Sequence, residues 1–267
     1  MSFLTLDRVS HHYFSKENYT KALNDISFSI EEGEFISILG PSGCGKSTIL
    51  SIIAGIIPQT EGEVLLKQQK IEETKLGIGY MLQQDYLFPW KTILDNVLLG
   101  PKINKNNTNK LKEKAFDLLE EVGLGDVVKD YPSSLSGGMR QRAALVRTLI
   151  TEPEVLLLDE PFSALDYLTK LKLENLVSDI LKTYKKTAIL VTHDIGEAIS
   201  MSDRIFVMET NPGTISKEFD VPIELRNEKP FYVRRHPKYQ VLFDKVWETL
   251  TKTETISENS KGDVEIT

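Results

Sequence analysis

Apolar positions fall into two rhythms along this chain. Runs at residues 35–39 (FISIL), 77–82 (GIGYML), 155–158 (VLLL) and 188–191 (AILV) are short and almost unbroken. Such runs predict strands covered on both faces, as in a parallel sheet. Between the last two, Leu173, Leu176, Val177, Ile180, Leu181 and Tyr184 recur every three or four residues, which predicts a helix with one face on that sheet. Two β-like runs come earlier, at residues 3–9 and 26–30, with the polar stretch 15–21 between them, and predict an antiparallel sheet edge. The class is α/β.

A different texture occupies residues 86–152. The Asn/Lys-rich stretch 104–110 reads as a loop, and after it Leu111, Ala115, Leu118, Leu119 and Val122 trace one side of an amphipathic helix ending near Gly123. This predicts a helical subdomain inserted into one α/β unit spanning residues 1–225. A short helical extension follows at 226–251. Residues 252–267 are polar and aperiodic and are expected to form a disordered tail.

At 267 residues and 40% hydrophobic, the chain can bury a sizeable core. No run approaches the 18 or so apolar residues of a membrane span, and MSFLTLDRVS lacks the layout of a signal peptide, so a cytoplasmic location is expected. The single cysteine agrees with a reducing compartment. A net charge of −7 argues against broad nucleic-acid binding, which needs a basic footprint. The short basic cluster Arg234, Arg235 and Lys238 reads as a solvated face.

Residues 40–48 read GPSGCGKST and fit the phosphate-loop pattern, with Gly40, Gly45, Lys46 and Ser47 at its fixed positions. The strand-like run 35–39 precedes it and the helix-like run 47–54 (STILSIIA) follows, which is the context the pattern requires. Glycines let backbone amides curl around phosphate oxygens where a Cβ would clash, and the helix N-terminus adds partial positive charge. Lys46 is placed to reach the outer phosphates and Ser47 to put its hydroxyl on Mg²⁺, so the expected ligands are a nucleoside triphosphate, which the family resemblance below makes ATP, and Mg²⁺. Pro41, Ser42, Gly43 and Thr48 complete the expected binding loop. Cys44, between Gly43 and Gly45, reads either as a small loop filler or as a thiol close to the phosphates, where flanking amides favour a thiolate.

The apolar run 155–158 stops at Asp159 and Glu160. Beside a phosphate loop, Asp159 is placed to help hold Mg²⁺, and Glu160 to orient or deprotonate a water attacking the terminal phosphate. Upstream, Leu135–Met139 reads LSGGM. Ser136 is placed to cap a helix whose first amides come from Gly137 and Gly138, a second anion-binding terminus.

Taken together, these motifs resemble those of the ATP-binding cassette (ABC) ATPases, whose signature is LSGGQ; Met139 stands here where Gln is usual. The resemblance covers roughly residues 3–222. It implies a P-loop NTPase fold with a RecA-like core, an antiparallel β subdomain and the inserted helical subdomain. It matches Tyr13 to the adenine-stacking aromatic, with adjacent Phe14 leaving the register open. Gln83 matches the Q-loop glutamine that contacts Mg²⁺ and water, Asp166 in SALD the D-loop, and His193 in VTHD the histidine that senses the γ-phosphate. With four histidines in the chain and no second ligand near His193, a metal role for it is set aside. The resemblance also implies a head-to-tail homodimer, in which Ser136, Gly137 and Gly138 of one subunit close over ATP held by the other.

Tyr86, Leu87, Phe88, Pro89 and Trp90 cluster bulky groups just after Gln83. In transport cassettes this place forms the groove for a permease helix. With Asn211-Pro212-Gly213 before Ile215, the chain looks like the nitrate, sulfonate and taurine importers, whose relatives also serve vitamin precursors. That implies a peripheral subunit on the cytoplasmic face of the membrane, working with integral membrane permease subunits and an extracytoplasmic substrate-binding protein. The rivals are an exporter or lipid-remodelling cassette and a non-transport ABC ATPase. The coiled coils, zinc modules or second cassette of non-transport members are not in this sequence.

Overall fold

The computed structural model describes residues 2–14, 19–74, 77–104 and 108–262, with side chains described through residue 253. The polar segment 15–18 and the centre of the Asn/Lys-rich stretch, 105–107, lie outside the described residues.

The two early β runs lengthen into β1 (Leu4–Phe14) and β2 (Tyr19–Ile30), with β3 (Phe35–Leu39) next. The phosphate loop then leads into α1 (Lys46–Ile53), followed by β4 (Glu61–Leu66), β5 (Gln69–Lys70) and β6 (Ile78–Met81). β1 and β2 are antiparallel, as their sequence predicts. They form a separate antiparallel sheet in the order β2-β1-β4-β5, because β1 pairs with β2 on one side and β4 on the other. A bridge from Leu23 to Gly213 and a hydrogen bond from Arg204 to the Ser29 carbonyl at 2.9 Å help tie this sheet to the main one.

The segment read as a helical insertion holds α2 (Ile93–Val97), α3 (Leu99–Ile103), α4 (Asn109–Glu121) and α5 (Gly137–Leu149). After it come β7 (Val155–Asp159), α6 (Tyr167–Tyr184), β8 (Thr187–Thr192), α7 (Ile195–Met201), β9 (Arg204–Glu209) and β10 (Thr214–Asp220). The main sheet runs β10-β9-β3-β8-β7-β6, parallel except for β10. Both faces of its central strands are covered, which is why their sequences do not alternate. Leu157 and Ile189 pack with Ile49, Leu50 and Ile53 of α1 on one side. Leu156, Leu158 and Leu190 pack with Ala144, Val177 and Leu181 of α5 and α6 on the other.

Parallel register decides where the chemistry lies. Leu39 pairs with Thr192 and Asp159 with Val191, so β3, β7 and β8 end side by side. The phosphate loop, Glu160 and His193 therefore leave the sheet at one edge, where ligands bind in parallel α/β sheets.

The chain closes with α8 (Ile223–Arg226), α9 (Pro230–Val233) and α10 (Pro237–Gly262). The last helix passes the expected end of the extension at 251 and enters the stretch expected to be disordered. Local bonds carry it where hydrophobic periodicity fades: Thr251 donates its hydroxyl to the Trp247 carbonyl at 3.0 Å, and Lys252 pairs with Glu248 one turn back at 2.8 Å. Thr253 is buried. Residues 263–267 lie outside the described residues.

Candidate functional site

The phosphate loop owes its shape to positions that reject a Cβ. Gly43 and Gly45 sit at φ 81° and 95°, and a Cβ on Gly45 would come within 2.5 Å of the Leu23 side chain. Lys46 turns back over the loop, donating to the carbonyls of Gly40 at 2.7 Å and Pro41 at 2.9 Å. Ser42, Gly43, Gly45, Lys46, Ser47 and Thr48 line one cleft with Gln83 and Glu160. Glycine-permitted curvature, a lysine and a helix start together fit a polyphosphate.

Cys44 departs from the thiolate reading. Its side chain is 0% exposed, and its sulfur lies 3.7 Å from the Lys46 ammonium. Only its main chain belongs to the loop's rim, because the turn directs the side chain into the core beside Met208. Burial pushes the thiol's pKa up, with Lys46 opposing, so a thiolate is disfavoured.

Asp159 ends β7 almost fully buried and takes a hydrogen bond from Ser47. Burial pushes its carboxyl above the usual range, against the pull of that hydroxyl and of Lys46, while the neighbouring charge of Glu160 adds to the rise. A divalent cation would reverse this balance. The Ser47 hydroxyl and the Asp159 carboxylate are hard oxygen donors at one place, a set that fits Mg²⁺ once phosphate oxygens join it. Among the described residues no group of three or more His, Cys, Asp or Glu side chains could hold a metal.

Glu160 adopts a left-handed backbone at φ 48°, a costly state for a side chain of its size. Several bonds hold it there. Its N–H donates to Val191 O at 2.9 Å, and its carbonyl accepts from Gln141 Nε2 at 3.1 Å and from the Ser163 hydroxyl at 3.0 Å. The side chain so aimed meets Gln83 Nε2 and His193 Nδ1, each 3.3 Å from Glu160 Oε2. Residues separated by 77 and 33 positions in the chain thus converge on one carboxylate oxygen.

Tyr13 lines the cleft, its hydroxyl 3.2 Å from Thr48 Oγ1, whereas Phe14 is turned away and pairs across the hairpin with Tyr19. Of the two adjacent aromatics, Tyr13 is the one at the cleft. Ser136 caps α5 by accepting from Met139 N–H at 3.3 Å, and Asp166 caps α6 by accepting from Thr169 N–H at 3.1 Å. Ser136, Gly137 and Asp166 are exposed, and none of them, nor Gly138, lines the phosphate-loop cleft of this chain.

Several residues of the site escaped the sequence reading. Gln141, buried within α5, joins Glu160 to the D-loop by accepting from Ala164 N–H at 3.1 Å. Asn211 and Gly213 enter the cleft from the β9–β10 turn. Arg140 holds Asp85 at 2.9 Å and Arg147 holds the Asp85 and Tyr86 carbonyls at 2.7 and 2.8 Å, fastening the segment after Gln83 to α5. The local signal of those on α5 is a Gln among three Arg on an otherwise core-packed helix. The aromatic cluster is partly exposed: Tyr86, Phe88 and Trp90 face outward while Leu87 is buried.

The model of the ABC transporter family matches residues 23–163. The chain is 58% identical, over 97% of its length and 100% of the relative's, to the uncharacterized ABC transporter ATP-binding protein YtlC of Bacillus subtilis (strain 168). It is 40% identical, over 94% of its length and 95% of the relative's, to the aliphatic sulfonates import ATP-binding protein SsuB of Bacillus licheniformis. Among solved structures it resembles the ATP-binding cassette MJ0796, a dimer in a post-hydrolysis state with ADP and Pi, with a TM-score of 0.76 and 32% identity over 82% of this chain and 99% of that one.

Proposed function

This chain belongs to the ABC transporter family, as the ATP-binding and ATP-hydrolysing subunit of an importer, and from that premise we propose its finer role. It drives uptake of a small organic anion of the aliphatic sulfonate kind, as a Mg²⁺-dependent homodimer on the cytoplasmic face of two permease subunits fed by an extracytoplasmic binding protein. The single observation that carries the hydrolytic part is the meeting of Gln83 and His193 at Glu160 Oε2, beside the loop that holds Lys46.

Lys46 and the loop amides bind and orient the phosphates. Ser47 and Asp159, with Gln83 nearby, would hold Mg²⁺, which would supply charge neutralisation to the phosphates. Glu160 accepts a proton from water as the water oxygen bonds to the γ-phosphorus and the bond to the bridging oxygen of ADP breaks. Gln83 holds that water, and His193 fixes the carboxylate and contacts the γ-phosphate. Tyr13 stacks on the adenine.

The exposed cap of α5 supports the dimer reading. Ser136, Gly137 and Gly138 offer amides to an anion but lie outside this chain's own cleft, and Asp166 sits exposed at the start of α6, so a second copy facing head to tail would complete each site. Phe88 and Trp90, with rings 5.3 Å apart, form the apolar contact for a permease helix. No helix among the described residues is long and apolar enough to cross a membrane, which accords with separate permease subunits.

The test is to purify the tagged chain with its membrane partner, reconstitute the complex in vesicles and follow ATP-dependent uptake of a radiolabelled alkanesulfonate. Uptake that stops in the Glu160→Gln complex supports the reading. ATP hydrolysis without sulfonate uptake would remove the substrate class and leave the ATPase, and ATP-driven movement outward would make the complex an exporter.

A further inference from the structure

Both neighbours of His193 are tied to one charged cluster, with Glu174 and Glu197 buried at its centre, that the hydrolytic reading does not use. Thr192 donates its hydroxyl to Glu197, and the N–H of Asp194 donates to the same Thr192 hydroxyl oxygen at 3.0 Å. Asp194 accepts from Glu197 N–H at 3.1 Å and from the Lys170 ammonium at 2.6 Å. Lys170, reaching over from α6, also binds Glu197 at 2.5 Å. The histidine is exposed, yet the backbone on either side of it is bracketed by ion pairs.

The C-terminal extension joins the same cluster. One turn along α6 from Lys170, Glu174 is 0% exposed and receives both arms of Arg234, at 3.0 and 3.2 Å, from the turn between α9 and α10. Arg234 is therefore no solvated surface charge, in contrast to what its basic neighbours suggest. Arg234 and Tyr239 also close over Gly196 at the start of α7, where an added Cβ would stand 3.3 Å from the guanidinium and 3.2 Å from the phenol oxygen.

Buried charges tolerate few arrangements, since any departure leaves an unpaired charge in a medium that cannot solvate it. Three carboxylates, Glu174, Asp194 and Glu197, face two cations, Lys170 and Arg234, across two helices, α6 and α7, and the turn before α10. Shifting α7 against α6 would strip Glu197 or Asp194 of Lys170. Loosening the extension would strip Glu174 of Arg234.

We propose that Lys170 and Arg234 are positioning residues that hold the His193 loop in register with Glu160, so that the C-terminal extension governs the rate of ATP hydrolysis. The proposal rests on the reading of His193 as a member of the hydrolytic site. It concerns turnover alone, because neither cation lines the nucleotide cleft.

The test is a mutant cycle on the full-length chain. Glu174→Leu combined with Arg234→Met removes the buried pair without orphaning a charge, so the fold is kept. The pair variant should lower kcat by about 10- to 100-fold, the scale of a small misplacement of a reacting group, with KM for ATP unchanged. In a His193→Ala background the same pair should change kcat by no more than roughly twofold, since the group it positions is gone. An unchanged kcat in the folded pair variant, or a full further loss in the His193→Ala background, would overturn the proposal. If the pair variant does not fold, Lys170→Gln in the same two backgrounds gives the same decision. A His193→Ala protein with wild-type turnover removes the reading of His193 itself, and this proposal with it, whereas failure of the cycle alone leaves that reading intact.

Discussion

In the nucleotide cleft, polar groups are presented on an apolar support: Lys46, Ser47 and Gln83 face the opening while Ile49, Leu50 and Cys44 anchor the loop and helix from beneath. In the loop after Gln83 the order is reversed. Trp90 is 69% exposed and Phe88 stands half out, while the support is a polar side chain, Asn96, that is 0% exposed. Its carboxamide accepts from Phe88 N–H at 2.7 Å and donates to the carbonyls of Phe88, Lys91 and Thr92 at 3.2, 3.2 and 2.9 Å. A charged ligand calls for amides and cations at the surface, which a motif can specify locally. The proposed apolar partner would call for rings held away from the core, and the buried amide of Asn96, which bonds the loop's own backbone, holds them there.

The sharpest way to break this comparison is in the cleft. Glu160→Gln keeps the carboxylate's size and removes its basicity, so turnover should fall by roughly 10² to 10⁴ while ATP still binds and traps a dimer visible by gel filtration. Wild-type turnover would hand the proton transfer to another group. In the loop, Asn96→Ala leaves one amide and up to three carbonyls without their partner and should destabilise the isolated chain by about 3 kcal/mol, read by urea denaturation. An unchanged midpoint would mean the rings are presented by something else.

Trp90→Ala and Phe88→Ala should do the opposite of Asn96→Ala. Truncating an interface hot spot costs about 2 kcal/mol or more of association, so permease co-purification should weaken while the melting temperature of Trp90→Ala stays near wild type. A large drop in melting temperature with intact co-purification would return these rings to the core. The smallest effect is expected at Cys44. Burial and a raised thiol pKa predict slow maleimide labelling of the folded protein at neutral pH, equal with and without MgATP, and fast labelling in denaturant. Protection by MgATP would place the thiol in the cleft after all.

The phosphate loop, the carboxylates ending β7 and the helix-capping serine were legible because each is a local device: a glycine where a Cβ cannot fit, a strand that stops, a side chain bonding an amide three residues on. Gln141, Asn96 and Arg234 were not, because each is a polar residue whose importance lies in a distant or buried partner. Arg234 illustrates the reason, since beside Arg235 and Lys238 it looks like surface charge, and only the approach of α6 supplies Glu174. Tyr13 and Phe14 were separable only once the fold placed Tyr13 at the cleft.

The amino-acid sequence by itself determined the α/β class, the glycine-rich loop that carries Lys46, the carboxylates ending an apolar run, and the motifs that resemble those of the family. Those features depend on spacing within a few residues and on unbroken apolar runs, which need no knowledge of the remote chain. Only the tertiary structure decided that β1 pairs with β4 as well as β2, that Cys44 faces inward, and that Gln83 and His193 share one oxygen of Glu160. It also joined the C-terminal extension to the His193 loop. Parallel strand register and the pairing of buried charges bring together residues tens of positions apart, and no local pattern encodes which of them will meet.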